Sequence, residues 1–127
     1  GKLVSSLIFD SICKNDVLKY CHSMSSTVKI ISNSDLIGKN EYDKISLLTD
    51  TVNDCYQTKK SILCITDISN LINFSDLGNQ LYYSNSILQT LIAILKGASP
   101  FGNKITIVLI NDNEIINKFL YKYVDLY

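Results

Sequence analysis

The sequence predicts a three-layer α/β/α domain built on a parallel sheet of about five strands, and three observations support this. Apolar, β-branched runs alternate along the chain with segments whose apolar residues recur at helical spacing. The runs at 61–67 and 104–110 are apolar on both faces, as in a sheet covered by helices on two sides. The 127 residues, 46% of them hydrophobic, suit a single domain spanning 1–127 with a substantial core.

The strands are predicted from short runs rich in isoleucine, leucine and valine. The first four are "LVSSLIF" at 3–9, "TVKIIS" at 27–32, "SILCITD" at 61–67 and "KITIVLI" at 104–110. The closing "VDLY" at 124–127 is the candidate start of a fifth strand. Strands separated by helices imply right-handed crossovers and parallel pairing.

The helices are predicted from apolar residues spaced three and four apart. They are expected at 16–24, 40–60, 84–97 and 113–123, with an irregular segment at 68–83. Asn15 or Asp16 is expected to cap the first helix, and Ser84 the third, which ends near Gly97. The polar connection at 33–38 has the composition of a helical turn.

Composition and charge exclude several classes of function. Twelve basic and twelve acidic residues leave no net charge, so no nucleic-acid partner is expected. The apolar runs are shorter than the ~20 residues of a membrane span, and no signal peptide is predicted. The four cysteines (Cys13, Cys21, Cys55 and Cys64) lack CxxC spacing, and His22 is the single histidine. We therefore expect reduced thiols, no zinc site and a cytosolic chain.

Ligands of open α/β sheets bind at the carboxyl ends of the strands, so three places are candidates for a site. They are the loop at 10–15, Thr66 with Asp67, and Asn111 with Asp112. His22 lies on the first predicted helix and has no evident nucleophile beside it, so we assign it no catalytic role.

The first loop, "FDSICKNDVL", lacks the glycines of a phosphate-binding GxxxxGK[ST] loop. Lys14 and Asn15 stand where that motif has lysine and serine or threonine. An ordinary strand-to-helix connection with a surface lysine is the favoured interpretation, because a loop without glycine does not readily form a nest of amides. Asp10 would also repel a phosphate.

The third and fourth strands each end in polar residues that suit a phosphate or metal site. Phosphoryl-transfer enzymes place a magnesium-orienting aspartate after such a strand, often followed by a glutamate. Here Thr66 precedes a single acid, Asp67, which is favoured as a helix cap and would bind metal only together with Mg-ATP. Asn111 and Asp112 could contact a γ-phosphate, although such residues are more often found in turns.

One long block resembles a known family. Residues 61–110 resemble the second AAA module of N-ethylmaleimide-sensitive factor, the vesicle-fusing ATPase. The resemblance rests on residue types in matching order: "ISNLINF" from Ile68 to Phe74, "SN-x-x-LQ-x-L" from Ser84 to Leu91, and the "P-x-G-x-K" turn from Pro100 to Lys104. It extends more weakly to the first strand and to "SNSDLIG", and is poorest at 10–26.

The departures from the family lie at its nucleotide site. The phosphate-loop glycines are missing, and Thr66 replaces the first acid of the Walker B strand, leaving Asp67 as the second. Asn111 or Asp112 takes the sensor 1 position. Relative to the family, we expect the chain to stop before the helical lid. The resemblance therefore implies the large α/β subdomain of an AAA+ (P-loop NTPase-like) module from a longer multidomain protein.

In the family, the first module supplies most of the hydrolysis that disassembles SNARE complexes, and the second mainly holds the hexamer together. The resemblance therefore implies an assembly module that has lost hydrolysis and most ATP binding, with no cofactor in this chain and ATP with magnesium in the parent protein. A degenerate nucleotide site would comprise Lys14, Asn15, Thr66, Asp67 and Asn111.

The same resemblance implies partners and a location. The partners would be neighbouring AAA modules of a homo-hexamer and, through other domains of the parent, SNARE–adaptor complexes. The location would be the cytoplasm, with peripheral association to vesicle and Golgi membranes.

Two alternatives remain open at this point. An active nucleotide-binding module would use Lys14, Asp67 and Asn111 in reduced versions of the usual roles. A receiver-like phosphoacceptor domain would use Asp10 and Asp67, but such a site needs a lysine after a later strand, and the end of the chain does not supply one.

Overall fold

Parallel strands form the central sheet of the computed structural model, which describes residues 4–24, 27–97 and 99–125. The strands are β1 (Val4–Phe9), β2 (Val28–Ile31), β3 (Lys60–Thr66), β4 (Ser75–Asp76), β5 (Leu81–Tyr82) and β6 (Lys104–Ile110). The sheet has the order β1-β6-β3-β2, and β4 and β5 pair separately as a short antiparallel hairpin. The predicted α/β class with a parallel sheet is confirmed, with four strands in the described sheet instead of about five.

Helices connect the strands of this sheet. They are α1 (Lys14–Met24), α2 (Asn33–Leu36), α3 (Glu41–Tyr56), α4 (Ile68–Leu71), α5 (Asn85–Lys96) and α6 (Glu114–Leu120), with 3-10 turns at Ser11–Cys13 and Tyr121–Tyr123. Within the described ranges, none of these helices combines the length and the hydropathy that a membrane crossing requires.

Side-chain caps explain where several helices begin. The Ser84 hydroxyl accepts the Ile87 N–H at 3.2 Å, so the predicted cap of α5 is confirmed. At α1 the prediction was wrong: the 3-10 turn runs directly into the helix, which begins at Lys14 and leaves Asn15 and Asp16 inside the first turn. The segment expected to be irregular contains α4 and the β4–β5 hairpin.

The two faces of the sheet are covered unequally. On one face, Leu63 and Ile65 of β3 pack in a large core cluster with buried residues of α3, α5 and α6. On the other, Ile62 and Cys64 join a smaller cluster with residues of α1, including Cys21. The helices on both faces form the predicted three layers, and they explain why β3 is buried at every position after Lys60.

The chain returns to β1 at its described end. The Asp125 N–H donates to the Ser6 carbonyl at 3.0 Å, and the Ser6 N–H donates to Asp125 Oδ2 at 2.9 Å. Val124 has extended dihedral angles, while residues 126 and 127 of the predicted fifth strand lie outside the described residues.

The strand order decides against the receiver-like alternative. Receiver-type sheets have the order 2-1-3-4-5, in which the first two strands pair. Here β1 pairs with β6, and β2 pairs with β3. Asp10 after β1 and Asp67 after β3 are therefore separated by the intervening strand β6, and the receiver-like interpretation is wrong.

Candidate functional site

A polar cavity of about 380 Å³ lies at the carboxyl ends of β1, β6 and β3. It is lined by Ser11, Asp67, Ser69, Asn70, Ile110, Asn111, Asp112 and Asn113. This is the edge of a parallel sheet at which ligands of open α/β folds bind. The cavity is therefore the candidate nucleotide site.

A carboxylate closes the loop after β1. The Ser11 N–H donates to Asp112 Oδ1 at 2.8 Å, and the Ser11 hydroxyl donates to Asp112 Oδ2. Phosphate-binding loops use backbone amides in this position to hold phosphate oxygens. In this chain the internal carboxylate of Asp112 already accepts the amide of Ser11.

The two bonds from Ser11 lower the pKa of the Asp112 carboxyl below its ordinary value of 3.8, the side-chain bond contributing most. We expect Ser11→Ala to raise this pKa, measured by NMR titration of the Asp112 carboxyl carbon. Because the pKa is depressed in the folded state, the stabilisation by this contact is complete above the unfolded pKa. It is lost as the pH falls through the folded pKa.

The unfolding free energies of wild type and Ser11→Ala should therefore converge at acidic pH. Ser86→Ala, at an exposed position of α5, is the matched control and should leave the Asp112 titration unchanged. An unchanged Asp112 titration in Ser11→Ala would contradict the assignment.

Asp67 reaches the cavity through an unusual backbone conformation. Its φ of 56° and ψ of 52° are left-handed, which aspartate tolerates better than most residues. It occupies the N-cap position of α4, but its carboxylate makes no capping hydrogen bond; its backbone carbonyl accepts the N–H groups of Asn70 and Leu71 instead. The capping bond expected from the sequence is thus not formed, and the exposed carboxylate faces the cavity.

Thr66 does not reach the cavity, because it is the last residue of the buried strand. Its side chain is 2% exposed, and its hydroxyl lies 3.4 Å from the Ile31 carbonyl oxygen and 3.2 Å from Asp67 Oδ2. It therefore links the ends of β2 and β3.

Asn111 borders the cavity but is engaged with α6. Its side-chain amide donates to Asn117 Oδ1 at 3.1 Å and to the Asn113 carbonyl at 3.4 Å. The side-chain amide of Asn117 donates in return to the backbone carbonyl of Asn111 at 3.3 Å. Both side chains are buried, at 6% and 3% exposure, so this reciprocal pair fixes α6 against the end of β6.

The cavity brings together Asp67, Asn111 and Asp112 among the residues predicted from sequence, and it does not include Lys14, Asn15 or Thr66. Lys14 and Asn15 form the first turn of α1. Sequence reasoning named the loop that contains Ser11 but not Ser11 itself, and it missed the lining residues Ser69, Asn70 and Asn113. The signal for Ser11 was present, since it lies two positions after β1, just as Asp112 lies two positions after β6.

The cavity does not fit a magnesium-bound triphosphate. Its charged lining residues are Asp67 and Asp112, and none of the described residues that line it is lysine or arginine. A triphosphate placed here would face carboxylates instead of the amides and lysine that normally neutralise it. In the part of the chain that the structure describes, no group of three or more His, Cys, Asp or Glu side chains is placed to hold a metal ion.

Comparison with known proteins identifies relatives for part of the chain. No protein-family model matches it. The vesicle-fusing ATPase of Dictyostelium discoideum is 36% identical over 90 residues, covering 71% of this chain and 12% of that protein. The vesicle-fusing ATPase of Arabidopsis thaliana is 35% identical over 80 residues, covering 63% of this chain and 10% of that protein. The vesicular-fusion protein sec18 of Schizosaccharomyces pombe is 27% identical over 81 residues, covering 64% of this chain and 10% of that protein.

The chain thus spans about a tenth of the length of the curated relatives it matches. The names of these homologues are vesicle-fusing ATPase and vesicular-fusion protein.

Proposed function

We propose that this chain is an AAA module related to the second module of vesicle-fusing ATPases, and that it serves assembly instead of ATP hydrolysis. The observation that carries the proposal is the contact of Ser11 with Asp112, which places a carboxylate where a phosphate oxygen would be bound. Homology to vesicle-fusing ATPases supports the relationship to an AAA module.

The loss of ATP binding follows from the number of contacts that are missing. A phosphate loop without glycines cannot easily turn several amides toward one anion. Each hydrogen bond to a charged group contributes roughly 1.5–3 kcal/mol, so losing several of them would weaken binding by orders of magnitude. The Asp112 carboxylate would repel a phosphate through its negative charge. It would also have to release the Ser11 amide before a phosphate oxygen could accept that hydrogen bond.

The assembly role is supported by the apolar side chains that the chain exposes on the β4–β5 hairpin. Leu77 is 69% exposed, Tyr82 50% and Leu81 42%. Large apolar side chains on a surface are typical of protein–protein contacts when they are grouped. The partners we propose are neighbouring AAA modules of a homo-hexamer.

The rest of the proposal concerns the longer protein of which this chain would be the large α/β subdomain. That parent would bind ATP and magnesium in another module and contact SNARE–adaptor complexes through other domains. It would work in the cytoplasm, at the surface of vesicle and Golgi membranes, and it would have no nucleic-acid partner.

Calorimetric titration with Mg-ATP tests the nucleotide part of the proposal. We expect no measurable binding and no release of phosphate. Micromolar binding that is lost in both Lys14→Gln and Asp67→Asn would overturn the proposal and establish the active-module alternative. Asp112→Ala is the informative variant: it frees the Ser11 amide, so any residual affinity for ATP should increase.

The assembly part needs a hexamer-forming background. We would exchange the 90 matched residues of the Dictyostelium discoideum protein for those of this chain and measure sedimentation velocity. Hexamers are expected, and Leu77→Asp should weaken them. Ile12→Asp, a matched change at an exposed position in the 3-10 turn before α1, should not. Monomers in the exchanged protein would refute the assembly role.

A further inference from the structure

A lysine is buried in α3, and no acidic side chain among the described residues pairs with it. Lys44 is 6% exposed, and its ammonium Nζ donates to the Asn70 carbonyl at 2.5 Å and to Asn73 Oδ1 at 2.6 Å. Both acceptors are neutral oxygens. Burial lowers the pKa of Lys44, and desolvation is the cause.

The acidic residues near Lys44 in the sequence are directed elsewhere. The carboxylate of Asp35 accepts the Ser32 N–H at 2.9 Å and lies 3.1 Å from the Ser32 hydroxyl, completing the capping box of α2. Glu41 and Asp43 lie in the first turn of α3 and are exposed. Among the described residues, Lys44 therefore forms no ion pair with a carboxylate.

This arrangement is costly for the free protein. Removing an ammonium group from water costs several kcal/mol unless an opposite charge and hydrogen bonds compensate it. An ammonium has three N–H donors, and two of them are used by Asn70 and Asn73. Among the described residues the third donor has no hydrogen-bond partner, so this donor and the charge can serve an anion in the neighbouring cavity.

Lys44 borders a second cavity of about 420 Å³, between the α2–α3 loop and the segment around α4. Its lining includes the cation Lys39 as well as Lys44, and no aspartate or glutamate lies among its described lining residues. It lies beside α2 and β4. It shares the lining residues Ser69 and Asn70 with the first cavity, at the carboxyl ends of β1, β6 and β3, which we call the strand-end cavity.

Neutral donors complete the lining of this cavity. The side-chain nitrogen of Asn70 donates to Asn33 Oδ1 at 2.6 Å. Because this bond uses the side-chain oxygen of Asn33, its side-chain nitrogen can donate to a ligand. Ser69 adds a hydroxyl. Asn73, held with a left-handed φ of 55°, keeps its side-chain oxygen on Lys44 and so fixes the position of the ammonium.

We infer that this cavity binds a phosphate oxyanion, either free phosphate or a phosphate monoester, through Lys44 and Lys39 with donors from Asn33 and Ser69. Two cations and neutral donors match the double negative charge and the several oxygens of such a group. The inference does not rest on the proposed function, because its two cations, Lys44 and Lys39, line this cavity and not the strand-end cavity, although both cavities include Ser69 and Asn70.

The test is an NMR titration of the full chain with sodium phosphate, at an ionic strength kept constant with sodium chloride. We expect saturable shifts of the Gly38, Asn70 and Asn73 amides and of the Lys44 ammonium. Lys39→Gln should weaken the affinity about two- to fivefold, as expected for a contact with an exposed charge. Lys59→Gln, an exposed lysine beside a different cavity, is the matched control and should leave the affinity unchanged.

Lys44→Gln should abolish binding. Because this variant also removes a buried donor, its fold must first be verified by its amide spectrum, and the Lys39→Gln result decides the question if it unfolds. Equal shifts with phosphate and with chloride, or an affinity that Lys39→Gln leaves unchanged, would overturn the inference. A parallel titration with glycerol 3-phosphate separates the two sources: tighter binding assigns an organic phosphate, and equal or weaker binding assigns free phosphate.

Discussion

Leu63→Ala is expected to lower the free energy of unfolding by about 2 to 5 kcal/mol, the largest effect of any single change considered for this chain. Leu63 lies in the middle of β3, is fully buried, and packs in the cluster that joins the sheet to α3 and α5. Truncation removes buried apolar surface and leaves a cavity. Because β3 is hydrogen-bonded to β2 and β6 on its two edges, the strand cannot easily move to close that cavity. Urea denaturation followed by circular dichroism measures the change.

The matched control is Ile12→Ala, because Ile12 is 89% exposed in the turn before α1. It should change the free energy of unfolding by less than about 0.5 kcal/mol. Equal effects of the two substitutions would show that Leu63 does not pack in the core as described.

Asn117→Ala is expected to cost about 1–3 kcal/mol, the second largest effect. The substitution leaves the buried Asn111 amide without its Asn117 acceptor and the Asn111 carbonyl without its donor. Unsatisfied buried polar groups lose their hydration without compensation. The loss should also loosen α6, so hydrogen exchange of the α6 amides should accelerate more than exchange in α3.

Asn53→Ala provides the comparison, since Asn53 is an exposed residue within α3. Alanine has the higher helix propensity there, so stability should stay the same or rise by a few tenths of a kcal/mol. A destabilisation by Asn117→Ala no larger than the change in Asn53→Ala would mean that the reciprocal pair contributes little to the fold.

These two substitutions also separate the sheet from the candidate site. Leu63 stabilises the scaffold as a whole, whereas Asn117 acts through Asn111 at one border of the strand-end cavity. The first variant should therefore lower stability globally, and the second should alter chiefly the cavity and the helix that follows it.

Much of the fold could be predicted because its signals are local. The fourth predicted strand matches β6 (Lys104–Ile110) in both boundaries, and Ser84 caps α5 as its residue type indicates. The start of α1 was missed because the 3-10 turn at Ser11–Cys13 leads directly into the helix, which begins at Lys14, before the expected caps Asn15 and Asp16. Helix ends depend on one or two backbone dihedral angles, which sequence patterns determine weakly.

The candidate site was only partly predictable. Asp67, Asn111 and Asp112 were found because polar residues follow apolar strands, and all three line the cavity. Lys14 and Asn15 were placed by analogy with a phosphate loop, yet the described cavity does not include them. The acceptors of Lys44 are 26 and 29 residues away in the chain, so no motif could have indicated its burial.

By itself, the sequence determined the alternation of strands and helices, the apolar faces that form the core, and the absence of phosphate-loop glycines, because each depends on neighbouring residues. The tertiary structure alone decided the strand order β1-β6-β3-β2 and the contact of Ser11 with Asp112, 101 residues apart. It also decided the burial of Lys44 beside neutral oxygens. The physical reason is that hydrogen bonds between distant segments depend on sheet register and packing, which are set by the chain as a whole and not by any short pattern.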